Sequence, residues 1–115
     1  MIQQEMKKRT KDFAKRIIRL CRELPRTEEC RLIRNQLFKA GTSVGANYRA
    51  ACRGRSKADF ISKLGIVLEE ADESQYWMEI IIETEIMKPD LLAPLLTEAN
   101  ELVSIFVSSL TTAKQ

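Results

Sequence analysis

The chain has 115 residues, 44% of them hydrophobic and 30% charged, enough for one domain with a real core, since at this size roughly two-thirds of the unfolded surface can be buried. It carries 19 Lys and Arg against 16 Asp and Glu, a net +3, and no histidine; its 4 glycines and 3 prolines leave no room for a linker or low-complexity region. Three cysteines, Cys21, Cys30 and Cys52, form no Cys-x-x-Cys pair, so no disulfide framework is expected and the thiols point to a reducing cytoplasm.

The first predicted helix runs from about Gln4 to Leu24 and stops before Pro25, because the residue preceding a proline is biased away from helical angles. Phe13, Ile17, Leu20 and Leu24 form its inner face. Opposite them Lys8, Lys11, Lys15, Arg19, Arg22 and then Arg26 lie within about 40° of a common line on a 3.6-residue helix. This is a basic ridge, and no acid is expected to interrupt it.

Thr27 followed by Glu28 and Glu29 supplies a cap and two acids for the positive end of a second helix. There Cys30, Ile33, Leu37, Ala40, Val44, Asn47 and Ala51 recur at spacings of three and four, placing all seven on one stripe. The middle of this helix contains Gly41 and Gly45, each of which costs about 1 kcal/mol of helix propensity relative to alanine. Close approach of a neighbouring helix would offset that cost; a pocket built on the small residues is the alternative. Asn47 on the same seam would fix register if its amide found partners.

At Arg53-Gly54-Arg55-Ser56 the pattern breaks. Gly54 is expected to end the second helix in a left-handed conformation, with Ser56 capping the third and Asp59 closing the capping box. A third stripe follows, made of Phe60, Leu64, Val67, Ala71, Ser74, Met78 and Ile81, and such a short join makes the two helices antiparallel. Ile66, Trp77 and Ile80 point roughly 100° to 160° away from that stripe, so they need another partner. Subunit contact is one reading, with Trp77 as an anchor; coverage by the fourth helix or the N-terminal turn is the other.

Lys88-Pro89-Asp90 is the last break. Leu92, Leu95, Leu96, Ala99, Leu102, Val103, Phe106 and Leu110 then form one broad apolar side of a fourth helix, with Pro94 expected in about its first turn, where proline is tolerated. The N-terminus is polar and no apolar run of signal-peptide or membrane-spanning length is evident, so a soluble, cytoplasmic protein with no membrane partner is expected. The predicted architecture is all-α: residues 1–115 form a single antiparallel up-down four-helix bundle.

Charge is divided along the chain. Residues 1–57 carry 16 Lys and Arg against 5 Asp and Glu, a net +11, whereas residues 58–115 carry 3 against 11, a net −8. Folded as a bundle, such halves become opposite sides, serving either as a basic face for phosphate backbones or for head-to-tail attraction between subunits. Catalysis finds little support. Without histidine there is no Glu-x-x-His metal site and no Ser-His or Cys-His nucleophile pair, and Gly-rich nucleotide motifs are missing. Glu69, Glu70, Asp72 and Glu73 offer oxygens for Mg²⁺, but a solvated or intersubunit acidic face is the expected role; no metal or other cofactor is predicted.

The run Thr42-Ser43-Val44-Gly45-Ala46-Asn47-Tyr48-Arg49, followed by Ser56, Asp59-Phe60-Ile61, Lys63-Leu64, Glu69-Glu70-Ala71 and Tyr76-Trp77-Met78, resembles the "four helix bundle protein" family. That family includes proteins encoded in intervening sequences of bacterial 23S ribosomal RNA and is similar to the accessory variability proteins of diversity-generating retroelements. The resemblance spans nearly the whole chain. It implies an antiparallel bundle assembled as a homopentamer and, for some relatives, binding of nucleic acid. Where many relatives have Glu after the Asn-Tyr-Arg or Asn-Ile-Ala run, this chain has Ala50, so any role of that carboxylate is absent or displaced.

The expected function is therefore that of a non-enzymatic oligomeric bundle binding RNA or DNA through Lys15, Arg19 and Arg22 on the first helix and Arg31, Arg49 and Arg53 on the second. Ile66, Trp77 and Ile80 would form the oligomer interface, and Gly41, Gly45 and Asn47 the helix crossing. A structural or adaptor oligomer that binds another protein is the alternative.

Overall fold

A computed structural model describes residues 3–115. Four helices, α1 (Gln3–Glu23), α2 (Glu28–Cys52), α3 (Lys57–Glu83) and α4 (Pro89–Ala113), follow one another up and down the bundle, with no strand among the described residues. Extents of 44 × 21 × 20 Å match one helix length by two helix widths. Around the bundle α1 packs on α2, α2 on α3 and α3 on α4, while α1 and α4 approach each other least.

The stripes meet in a single core. Phe13, Ile17 and Leu20 of α1 are buried, as is Leu24 just past its end, joined by Met6, Thr10 and Cys21, and on α3 six of the seven stripe positions, those from Leu64 to Ile81, are fully buried. Phe60 at the helix start is half-buried. Leu92, Leu95, Ala99, Leu102 and Phe106 supply the inner face of α4. On α2 the seam shifts by one residue near its end: Tyr48, not Asn47, enters the core, with its ring 5.8 Å from that of Phe106. The half-buried Asn47 amide instead donates to the Ser43 carbonyl of its own helix at 2.8 Å, so it fixes no interhelical register.

Gly41 and Gly45 mark the closest crossing, between α2 and α1. A Cβ on Gly41 would lie 2.6 Å from Ile17 Cγ1, and one on Gly45 would lie 3.2 Å from the Thr10 backbone carbonyl. The small residues thus admit α1 rather than line a pocket. Thr10, fully buried at this crossing, donates its hydroxyl to the Met6 carbonyl at 2.9 Å, so no polar group is orphaned there.

Caps and breaks define the helix ends. Thr27 Oγ1 accepts from the Cys30 amide at 3.2 Å and Ser56 Oγ from the Asp59 amide at 3.1 Å. The Asp59 carboxylate reaches back to the Arg55 amide at 3.1 Å, one residue before the position a capping box would use. Gly54 does not adopt the expected left-handed conformation. Its need is for space: a Cβ there would meet the Ala51 carbonyl at 3.0 Å and the Asp59 carboxylate at 3.2 Å.

The left-handed residue is Glu85, with φ 61°, after the end of α3. Its amide donates to the Ile82 carbonyl at 3.0 Å and that of Ile86 to the Ile81 carbonyl at 3.1 Å, which together form a Schellman motif. Pro94 falls in the second turn of α4 rather than the first, on an exposed stretch where water can serve the Asp90 carbonyl it leaves without a donor. Contrary to expectation, α4 is long and apolar enough by length and composition to cross a membrane, with an 18-residue window of mean hydropathy 1.3; its inner face nevertheless lies in the bundle core.

Two stability measurements probe these features. Gly45→Leu should lower stability in chemical denaturation by about 1 to 3 kcal/mol despite leucine's better helix propensity, because the obstacle is the Thr10 backbone; an unchanged midpoint would mean that α1 does not bear on α2 there. Glu85→Gly should raise stability by about 1 kcal/mol by removing the cost of a side chain in a left-handed position, and a lowered midpoint would contradict that origin.

Candidate nucleic-acid interface

With the apolar side of α1 held in the core, its opposite side faces solvent. Lys8, Lys11, Lys15, Arg19 and Arg22 are exposed along about 21 Å of helix, and Arg26 continues them in the turn that follows. The ridge is not free of acid as expected, because Asp12 comes within 2.9 Å of Lys8 Nζ. Its carboxyl is held below the usual range by the hydrogen bond from Lys8 and by the nearby charges of Lys15 and Arg19, against an opposing effect of desolvation. One carboxylate thus offsets part of the repulsion among neighbouring cations.

All six candidate phosphate contacts are exposed, but they do not form one cluster. Lys15 and Arg19 border a polar cleft toward α4, shared with Arg9, Asp12, Arg16 and Glu98. Arg49 of α2 joins Lys7, Lys8 and Lys11 of α1 around a basic hollow, which also includes Gln4. Arg22 lies near the other end of the α1–α2 groove with Arg26 and Arg34. Arg31 is engaged by Glu28 one turn away, and Arg53 caps the far end of α2, about 33 Å along the helix from Arg31.

Two arginines outside the predicted set have structural roles. Arg9 holds α1 to α4: its Nε donates to Glu98 at 2.8 Å, and its Nη2 donates to Glu98 at 2.7 Å and to Glu101 at 3.0 Å. The fork is bidentate and partly buried, and it raises the guanidinium pKa chiefly through the Glu98 hydrogen bond. Arg34 reaches from α2 to the end of α1, donating to the carbonyls of Cys21 at 3.1 Å, Leu24 at 3.3 Å and Pro25 at 3.0 Å. Those carbonyls lie at the negative end of α1, where a cation is favoured. The available signal was their position beside the apolar stripe rather than on the ridge, but their partners lie too far along the chain for periodicity to identify.

On the acidic side Glu69 and Asp72 are exposed and Glu70 and Glu73 half-buried. Burial, then the neighbouring Glu73, pushes the Glu70 carboxyl up, while Lys39 across the α2–α3 groove opposes them. Among the described residues no three His, Cys, Asp or Glu side chains converge in a way that could hold a metal ion. Cys21 and Cys30 are buried and Cys52 half-buried, all as free thiols; burial pushes Cys21 up to about 11, which disfavours the reactive thiolate.

The three residues expected at an oligomer interface differ in exposure. Ile66 is 40% exposed and Ile80 half-buried, whereas Trp77 is half-buried and packs against the core cluster, so it does share the core contact from which it was expected to be excluded. Its indole Nε1 donates to Glu73 at 3.4 Å, and its ring meets Tyr76 edge-on at 5.1 Å between centroids. Tyr76, at 52% exposure, and Leu32, at 54%, are more exposed than Trp77 and were not among the predicted interface residues.

Residues 3–108 match the family described as 23S rRNA-intervening sequence protein. No curated protein matches the chain. Among solved structures, a crystal structure of a protein of unknown function from the S23 ribosomal protein family of Bacteroides thetaiotaomicron is similar, with 35% identity and a TM-score of 0.84; the match covers 90% of this chain and 96% of the other.

Proposed function

The chain belongs to the 23S rRNA-intervening sequence protein family, and from that premise we propose that it is a non-enzymatic bundle that binds structured RNA or other nucleic acid through the basic face of α1 and α2. What carries this is the ridge from Lys8 to Arg22, exposed along one face of a rigid helix and backed by a half-chain of net +11. Long flexible cations on a fixed line suit a phosphate backbone, which presents charge at regular intervals and carries no base information. Contact through phosphates gives register and affinity without sequence preference. Lys15, Arg19, Arg22 and Arg49 border the shared hollows and are the principal contacts; Arg31 and Arg53 extend them, Arg31 after leaving Glu28.

A second reading has its own observation. Ile66, Tyr76 and Leu32 expose apolar surface that a lone bundle leaves uncovered, which favours a homo-oligomer, pentameric by family resemblance, that serves as a structural or adaptor assembly for another protein. The two readings are compatible if the ring presents its basic faces outward. A mass in solution above that of one chain at micromolar concentration is the expected result, measured by light scattering, and a single-chain mass would remove the oligomer.

Reversing Arg19 and Arg22 to Glu should leave fold and assembly intact, because exposed charges contribute little to stability. Affinity for RNA should fall, and the slope of log affinity against log salt should flatten by roughly 2 units, with little dependence on base sequence. Unaltered affinity and slope would move the binding surface elsewhere. Failure of the unmodified protein to bind any RNA or DNA at low salt would leave the adaptor assembly.

A further inference from the structure

Phe38 is out of place on α2. Its ring is 44% exposed in the groove between α1 and α2, where Ile18, Cys21, Arg22, Arg26 and Arg34 surround it. Single exposed apolar residues are ordinary; an aromatic ring in a hollow bordered by guanidinium groups is a more specific arrangement. Arg34 is committed to the carbonyls at the end of α1, which holds that part of the hollow rigid. Arg22 and Arg26 are exposed and make no ion pair among the described residues. The hollow therefore presents one partly exposed aromatic ring, two cations without an ion pair among the described residues and no carboxylate in its lining.

We infer that this hollow takes an unpaired nucleotide, with its base stacked on Phe38 and its flanking phosphates held by Arg22 and Arg26. Every base has a π-face, so an aromatic ring binds unpaired bases with little regard for sequence, and the adjacent cations supply the backbone contacts. Bases within a duplex are stacked on one another and cannot reach the ring. The inference rests on the nucleic-acid reading above and deepens it: the ridge of α1 accepts any phosphate backbone, whereas the Phe38 hollow selects a loop, bulge or single-stranded end. Charge argues for this occupant over a protein segment rich in Lys or Arg, which the three arginines would repel.

The test compares a short fluorescein-labelled RNA strand without self-complementarity with the same strand annealed to its complement, at one salt concentration. Phe38→Ala should weaken single-strand binding by about 5- to 100-fold and leave duplex binding unchanged. Phe38→Trp should retain the affinity, with indole fluorescence quenched on binding. Phe38→Leu, which keeps apolar bulk without a π-face, should behave like the alanine variant and guards against a folding defect specific to truncation. Single-strand affinity that survives in both the alanine and leucine variants would overturn the inference while leaving the phosphate ridge intact. Equal loss on both probes, or a changed mass in solution that accompanies the loss, would also overturn it by making Phe38 a general surface or a contact between copies. If the unmodified protein binds neither probe at low salt, the nucleic-acid reading itself fails.

Discussion

The approach of α1 to α2 at Gly41 and Gly45 is the constraint on which the rest of the bundle depends. With Ile17 lying where a Cβ of Gly41 would be, and the Thr10 backbone 3.2 Å from that of Gly45, the two helices touch through backbone as much as side chains. Contact this close increases dispersion and excludes water, and it offsets two glycines that would each weaken an isolated helix by about 1 kcal/mol. It also sets the rotation of α1 about its own axis. Because Phe13 and Ile17 must face inward, Lys15, Arg19 and Arg22 must face outward, so the basic ridge is a by-product of the crossing.

Having committed one side to α2, α1 meets α4 only loosely. The Arg9 fork to Glu98 and Glu101 supplies a polar clasp where apolar contact is sparse, and the clefts lined by Lys15, Arg16 and Arg19 open along the same seam. Cations on α1 thus divide by direction. Those toward α4 are partly engaged with carboxylates and those pointing away from the core are free or share Asp12; from α2, Arg34 reaches back to the carbonyls at the end of α1. A net charge of +11 on the first half of the chain overstates the charge available to a ligand, since Arg9 is paired with carboxylates of α4 and Arg34 is committed to backbone carbonyls.

Helix ends show the same division between local and distant causes. Thr27 and Ser56 cap because a side-chain oxygen before a helix meets an amide three residues on, which depends on nothing beyond the segment. The left-handed position expected at Gly54 is found instead at Glu85. At Gly54 a side chain would press on the Ala51 carbonyl and the Asp59 carboxylate, while at Glu85 two backbone hydrogen bonds, together with Ile86 packed on the core, hold a non-glycine residue in a left-handed position. Residue preference alone assigns the glycine to the left-handed position; packing decides otherwise.

The sequence by itself determined the four helices, their approximate limits and nearly all of their inner faces, because spacing at three and four residues, proline stops and capping oxygens act within a few residues of one another. It also determined which face of α1 would be basic. Tertiary structure alone decided the substitution of Tyr48 for Asn47 in the core, the half-burial of Trp77, the exposure of Phe38 among arginines and the division of cations into free and engaged. Arg9 and Glu98 stand 89 positions apart, and whether a guanidinium meets a carboxylate across that separation depends on how far each helix is rotated and how close its neighbour lies. Periodicity places a residue on its own helix, but only the packed bundle places it opposite a partner.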